Sequence, residues 1–136
     1  MSMLRIFDVA SSAVSAQSQR LNVVASNLAN ADTVAGPDGR SFKARQVLFQ
    51  TQPMGDQGAA GVRVAQVLED QTPGRRVHDP KHPAADADGY VTYANVNAVE
   101  EMVNMISASR SYQNNVEVMN TAKTLLLKTL QMGQGS

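Results

Sequence analysis

The sequence predicts an α+β fold in which long N- and C-terminal helices pack as an antiparallel, coiled-coil-like core and carry a small β-containing insert. Three observations predict it: an apolar stripe of helical period within residues 1–33, a second within 97–136, and between them, at 34–96, a stretch that holds all 5 prolines and only short runs of strand character.

In the first segment Phe7, Ala10, Val14, Gln17, Leu21, Val24, Leu28 and Ala31 follow one another at alternating spacings of three and four, with Gln17 the one polar member. A helix is expected over Leu4–Asn30, of moderate intrinsic strength because serines and asparagines interrupt its alanines. In the last segment Met102, Met105, Ser109, Tyr112, Val116, Met119, Lys123, Leu126 and Leu130 keep the same rule, with Ser109 and Lys123 as exceptions. Leu21, Val24, Tyr112, Val116, Met119, Leu126 and Leu130 are the expected packing residues. Such helices draw their stability from laying an apolar face on another helix, so the stripes can satisfy each other within one chain or between chains.

The second helix begins at a clear signal: Asn97 followed by Glu100 resembles a capping box. It should run to about Met132 with Gly133 in the stop position, roughly 50 Å of helix, more than a compact domain of this size can cover. Excess length of that kind points to partners. Its polar face, with Arg110, Gln113, Asn114, Asn115 and Asn120, is richer in amides than charges, so it suits either solvent or a further packed helix.

Within the insert, Gly36-Pro37-Asp38-Gly39 predicts a reversal of direction. Phe42–Gln50 and Val62–Leu68 predict two strands joined by a mobile connection, Pro53–Gly61, as a long-looped hairpin that must rest on the helices or on a neighbour. Arg75–Pro83 predicts an ordered arm or loop, since each proline disfavours helical geometry before it, and Tyr90–Tyr93 predicts one more short strand.

Composition narrows the function. A chain of 136 residues, 43% hydrophobic and 18% charged, suits one globular domain, and twelve basic against twelve acidic residues leave no net field to draw it to nucleic acid. Without cysteine there is neither disulfide nor thiolate site. The opening residues lack the apolar run of a cleaved secretory leader, and no later run approaches the ~18 apolar residues of a membrane span, so no membrane insertion is expected.

Chemical sites are weak. His78 and His82 have the helical spacing of a zinc pair, but Pro80 lies between them. Asp86, Asp88 and Gly89 echo a calcium loop, yet Asn95 stands where its closing Glu would be. Gly55, Gly58 and Gly61 belong to no phosphate-binding loop, and no serine sits in a nucleophile elbow. No cofactor, metal or small-molecule substrate is expected, nor catalysis. A helical adaptor for a single partner and a small metal-dependent enzyme are the rivals to an assembly protein.

Ala25-Ser26-Asn27-Leu28-Ala29-Asn30-Ala31-Asp32-Thr33 resembles the N-terminal signature of the flagellar rod, hook and hook-associated axial proteins. The run Gly36–Gly39 with Phe42–Arg45 and Val47–Gln50 is similar to proximal-rod members rather than hook or distal-rod ones. Asp79–Val91, then Asn95-Val96-Asn97 with Glu100, Met102 and Val103, resembles a second rod motif, and Ser107–Gln113 with Asn120 and Leu130 resembles the family's C-terminal helix. Thr51–Ala60 is the least typical part.

The resemblance implies a structural subunit of the proximal rod in the flagellar basal body, with terminal helices packed into a tube that transmits torque and encloses the export channel, and the middle segment touching neighbours outside it. It implies Asn27, Leu28 and Asn30 as an assembly motif. It further implies export without a cleaved signal peptide to a rod that spans the periplasm. The implied partners are proximal and distal rod subunits and the proteins of the rod base, export gate and MS-ring junction.

Overall fold

The computed structural model describes residues 3–55 and 58–134. The element order is α1 (Met3–Ala29), β1 (Arg45–Pro53), β2 (Ala60–Glu69), β3 (Arg76–His78), β4 (Tyr90–Thr92) and α2 (Ala98–Gln134). The α+β expectation therefore holds, with two long helices and a small antiparallel insert.

At 27 and 37 residues, α1 and α2 are about 40 and 55 Å long. Met3 and Phe7 share a groove with Ala122 and Leu126, whereas Arg20, Val23 and Val24 share another with Glu101 and Asn104, so the helices run in opposite directions. The seam on α2 is rotated from the expected one. Its inward residues are Met105, Ala108, Tyr112, Asn115, Met119, Ala122 and Leu126, all buried or half-buried. The positions that broke the apolar pattern, Ser109 and Lys123, give way to Ala108 and Ala122, which are almost fully buried. Small side chains at those points let the backbones come together, and the larger Met, Tyr and Leu fill the space between. Val116 and Met119 are half-buried, but Leu130 is 55% exposed because α2 outruns α1.

α1 terminates where Asn30 closes its last turn. Its backbone N–H reaches the carbonyls of Ser26 and Asn27, its side chain donates to Ser26 O at 2.9 Å, and its own carbonyl accepts from the N–H and hydroxyl of Thr33. These bonds satisfy carbonyls that a helix end leaves open. α2 starts as expected: Asn97 Oδ1 accepts from the N–H groups of Val99 and Glu100 at 3.1 and 3.2 Å. It does not stop at Gly133, which remains helical rather than taking the left-handed turn of a C-cap; an exposed glycine costs a helix only about 1 kcal/mol.

β1 and β2 pair antiparallel with a bulge where Leu48 faces Gln66 and Phe49 faces Val64, leaving Ala65 as the extra residue. The strands extend further toward the turn than expected, so the connection shrinks to 54–59; Asp56 and Gln57, within the expected mobile segment, lie outside the described residues. Val47, Phe49, Val62 and Val64 form the half-buried face, including the cross-strand pair Phe49–Val64, an arrangement that contributes roughly 0.2–1 kcal/mol.

The arm at Arg75–Pro83 contains a strand that composition did not reveal. β3 pairs with β4 through Arg76↔Thr92, Val77↔Val91 and His78↔Tyr90. On its other side β4 meets the chain leaving α1, where Ala35 N donates to Thr92 O at 2.8 Å and Val34 bridges Tyr93. Val91, wholly buried in this arrangement, contributes about 1.5–3 kcal/mol. Gly74 is required beside it, since a Cβ there would collide with the backbone carbonyl of Tyr93.

Candidate assembly surfaces

α1 has a second working face, adjoining the one that meets α2. Ser12, Ala16, Val23 and Asn27 recur at helical spacing, and the β1–β2 hairpin lies along them. At one end the amide of Asn27, only 1% exposed, donates to Arg45 O at 2.8 Å and accepts from Arg45 N at 3.0 Å. In the middle Ser12 Oγ accepts from Val62 N at 3.1 Å while donating to Val9 O at 2.7 Å, and the buried Gly61 lets β2 come that close. At the far end Arg5 borders Met54 and Gly55. The lengths agree: nine residue steps of extended chain, from Arg45 to Met54, span about 30 Å, and twenty-two steps of helix, from Arg5 to Asn27, span about 33 Å.

Asn95 holds the same joint from the other side. Its Oδ1 accepts from Ala44 N at 2.6 Å, and its Nδ2 donates to the carbonyls of Asp70 and Thr72, each at 2.8 Å. Ala44 O in turn accepts from Asp70 N at 2.8 Å. Ala44 and Arg45, at the start of β1, are thus fixed by two asparagine side chains far apart in the sequence. Asp70 is itself held ionised by the hydroxyl and N–H of Thr72, which lower its carboxyl below the usual range.

The expected motif residues therefore divide their work. Asn27 clamps the hairpin, Asn30 closes the helix, and Leu28 is half-buried. The two asparagines serve the chain's own fold. Sequence reading passed over Ser12, and met Asn95 only as the first residue of the Asn95-Val96-Asn97 motif, without its bonds to Ala44, Asp70 and Thr72.

The region around His78 and Asp86 is also built for shape. The His78 ring meets Tyr90 edge-on at 5.0 Å, Arg76 lies 4.5 Å over the same tyrosine, and His82 Nδ1 accepts from Ala84 N at 3.0 Å. Asp86 Oδ1 accepts from the N–H groups of both Asp88 and Tyr90 at 2.9 Å. Those bonds, that from Tyr90 foremost, pull its carboxyl below the usual range, with Arg76 helping from 3.3 Å.

Apolar side chains are open at Leu4 of α1 and at Leu48, Val67 and Leu68 of the hairpin, and most extensively on α2. Val99, Met102, Val103 and Ile106 stand on the side away from α1 and are at least half exposed; at the other end Leu127, Leu130 and Met132 extend past the start of α1. Of the amide face, only Asn115 turns inward, donating to Ser111 O at 2.8 Å, while Arg110, Gln113, Asn114 and Asn120 are exposed. No helix among the described residues is long and apolar enough to cross a membrane.

Both helices match known family models. Residues 7–37 match the flagella basal body rod protein family and residues 87–132 the C-terminal family of the flagellar basal body rod FlgEFG proteins. The flagellar basal-body rod protein FlgC of Yersinia enterocolitica is 61% identical over 98% of this chain and 100% of its own length. This chain belongs to the FlgC family of flagellar basal-body rod proteins. The FlgC proteins of Salmonella typhimurium and Escherichia coli O157:H7 are each 58% identical over the same shares. The two family models fall on α1 with the turn after it, and on β4 with α2, the elements that carry the seam and the open apolar ends. The Asn27 and Asn95 clamp joins those two regions to the hairpin between them.

Proposed function

We propose that this chain is a structural subunit of the proximal rod, assembling through its terminal helices, packed in coiled-coil fashion, into a tubular shaft that transmits torque and encloses the export channel. The full-length likeness to rod proteins supports the rod assignment, and the exposed apolar ends of α2 support helical assembly. Residues 1–33 and 97–136 act as the assembly core, and 34–96 as the insert that sets the subunit's outer contour. The role is mechanical rather than catalytic.

Its partners in this reading are other proximal and distal rod subunits and the proteins of the rod base, export gate and MS-ring junction. It works in the periplasm-spanning rod, after export without cleavage of a signal peptide. Asn27, Leu28 and Asn30 support assembly by fixing the end of α1. The test is complementation of a strain lacking its own proximal-rod subunit. Restored motility, with the uncleaved chain recovered in isolated basal bodies, is the expected result; a motile strain whose basal bodies lack the chain refutes the reading.

A further inference from the structure

We propose that α2 carries both halves of a contact between two copies of this chain: the end of α2 in one copy docks on the start of α2 in the next. The inference rests on the rod-subunit reading and specifies how its copies meet.

The two ends of α2 are complementary in charge as well as apolarity. Residues 98–109 contain Glu100 and Glu101 and no base, whereas residues 118–134 contain Lys123 and Lys128 and no acid. The helix dipole alone favours that order of charges. It does not account for the apolar side chains beside them: Val99 is 70% exposed, Ile106 55% and Met132 77%. Val99, Met102, Val103 and Ile106 recur at spacings of three and four, forming one outward patch with Glu100 at its flank and Arg110 at its lower edge. The opposite end offers Leu127, Leu130 and Met132 with Lys128 among them, beyond the reach of α1. The patch is flanked by exposed Glu100 and the overhanging helix end carries Lys128, so these two fit one another; Glu101 lines the groove beside Arg20 and Arg45 and takes no part.

The contact is heterologous, since a residue at one end of α2 meets a different residue at the other end, and such contacts propagate into rings or helices rather than closing as a pair. It is also small. Eight residues of helix, 127–134, cover far less than the ~800 Å² per partner of a stable complex. A single contact holds poorly in dilute solution and becomes firm only when an assembly supplies several at once, which suits a subunit that must stay apart until it reaches its place.

The absence of cysteine makes the test direct. Val103→Cys and Leu130→Cys are prepared as separate full-length chains and oxidised at high concentration, alone and mixed. The mixture is expected to give a cross-linked dimer and each variant alone to give none. Lys123→Glu with Lys128→Glu in the Leu130→Cys chain should lower the yield about fivefold, the scale of exposed ion pairs, and Glu100→Lys in the Val103→Cys chain should restore it. Equal dimer from either variant alone, or a yield indifferent to charge reversal, overturns the proposal. In basal bodies, a chain carrying both substitutions should give a ladder of its own multiples. Its recovery there without a ladder, or cross-linked only to a different protein, sinks the contact while leaving the rod reading intact; its absence from basal bodies sinks the rod reading, and the solution cross-link then decides the contact separately.

Discussion

Asn27 pairs with Arg45 as a strand pairs with its neighbour: one amide side chain exchanges two hydrogen bonds, at 2.8 and 3.0 Å, with one backbone residue. A helix has no free backbone along its flank to hydrogen-bond a strand, so a side chain with both a donor and an acceptor takes that part.

Asn27→Ala should therefore be costly. It takes from the N–H and C=O of Arg45 the buried amide that bonds them both, a loss of roughly 1–3 kcal/mol. Asn30→Ala, which removes a side-chain bond within the same helix end, should cost about 1 kcal/mol or less. Chemical denaturation of the two variants checks the order, and equal midpoints would show that the clamp contributes nothing.

The helical core was legible because apolar residues repeat with the period of a helix, and the amide cap at Asn97 announced where α2 begins. The face of α1 that carries the hairpin was not legible. It is held by Ser12 and Asn27, polar residues that a search for apolar stripes passes over, and their partners are backbone atoms fifty and eighteen positions away. On α2 the expected stripe and the inward face share Met105, Tyr112, Met119 and Leu126; between them the stripe took Ser109, Val116 and Lys123 where Ala108, Asn115 and Ala122 turn inward, since alanine and asparagine signal packing weakly. β3 escaped notice because its three residues are all exposed and pairing, rather than burial, defines it.

Gly74→Ala should disturb the β3–β4 region without touching the helices. The added methyl meets the carbonyl of Tyr93, a backbone group between the Tyr93 and Ala94 N–H groups that bond Arg75 O and Thr33 O, so the chain must shift rather than a side chain rotate. A loss of about 1–3 kcal/mol is expected, as for other overpacked sites. Hydrogen exchange should quicken at Tyr93 and Ala94 and stay unchanged at Ala108 and Tyr112; uniform change across the protein would argue against a local clash.

Acid should loosen the insert at a defined pH. Asp70 and Asp86 both have carboxyls lowered from the usual 3.8, by Thr72 and by the N–H of Tyr90 respectively. A lowered folded value means that the stabilisation is fully present above pH 3.8 and disappears as pH falls through the lower folded values. Amide shifts of Thr72, Asp88 and Tyr90 should stay constant from neutrality down to pH 5 and move below pH 4. Movement centred between pH 6 and 7 would assign the effect to histidine instead.

The isolated monomer should show weakly protected terminal helices. α2 extends past α1, and its outward apolar patch is in water, so assembly supplies burial that one chain lacks. Hydrogen exchange on dilute protein is expected to be fast at Leu127–Met132 and at most moderate from Met105 to Leu126. Strong protection across Val14–Leu28 and Met105–Leu126 in a verified monomer would mean that the hairpin of helices is complete by itself.

Ala108 and Ala122 lie fourteen positions apart on the seam, and Asn115 stands midway. Sliding α2 along α1 by seven residues would bring the amide of Asn115 into a slot cut for a methyl group, at about 10 Å of displacement. Only a shift of fourteen residues, about 21 Å, would match alanine to alanine again, and it would uncover up to about half of α1. The two alanines thus act as notches of a gauge, fixing how far one end of the subunit stands from the other.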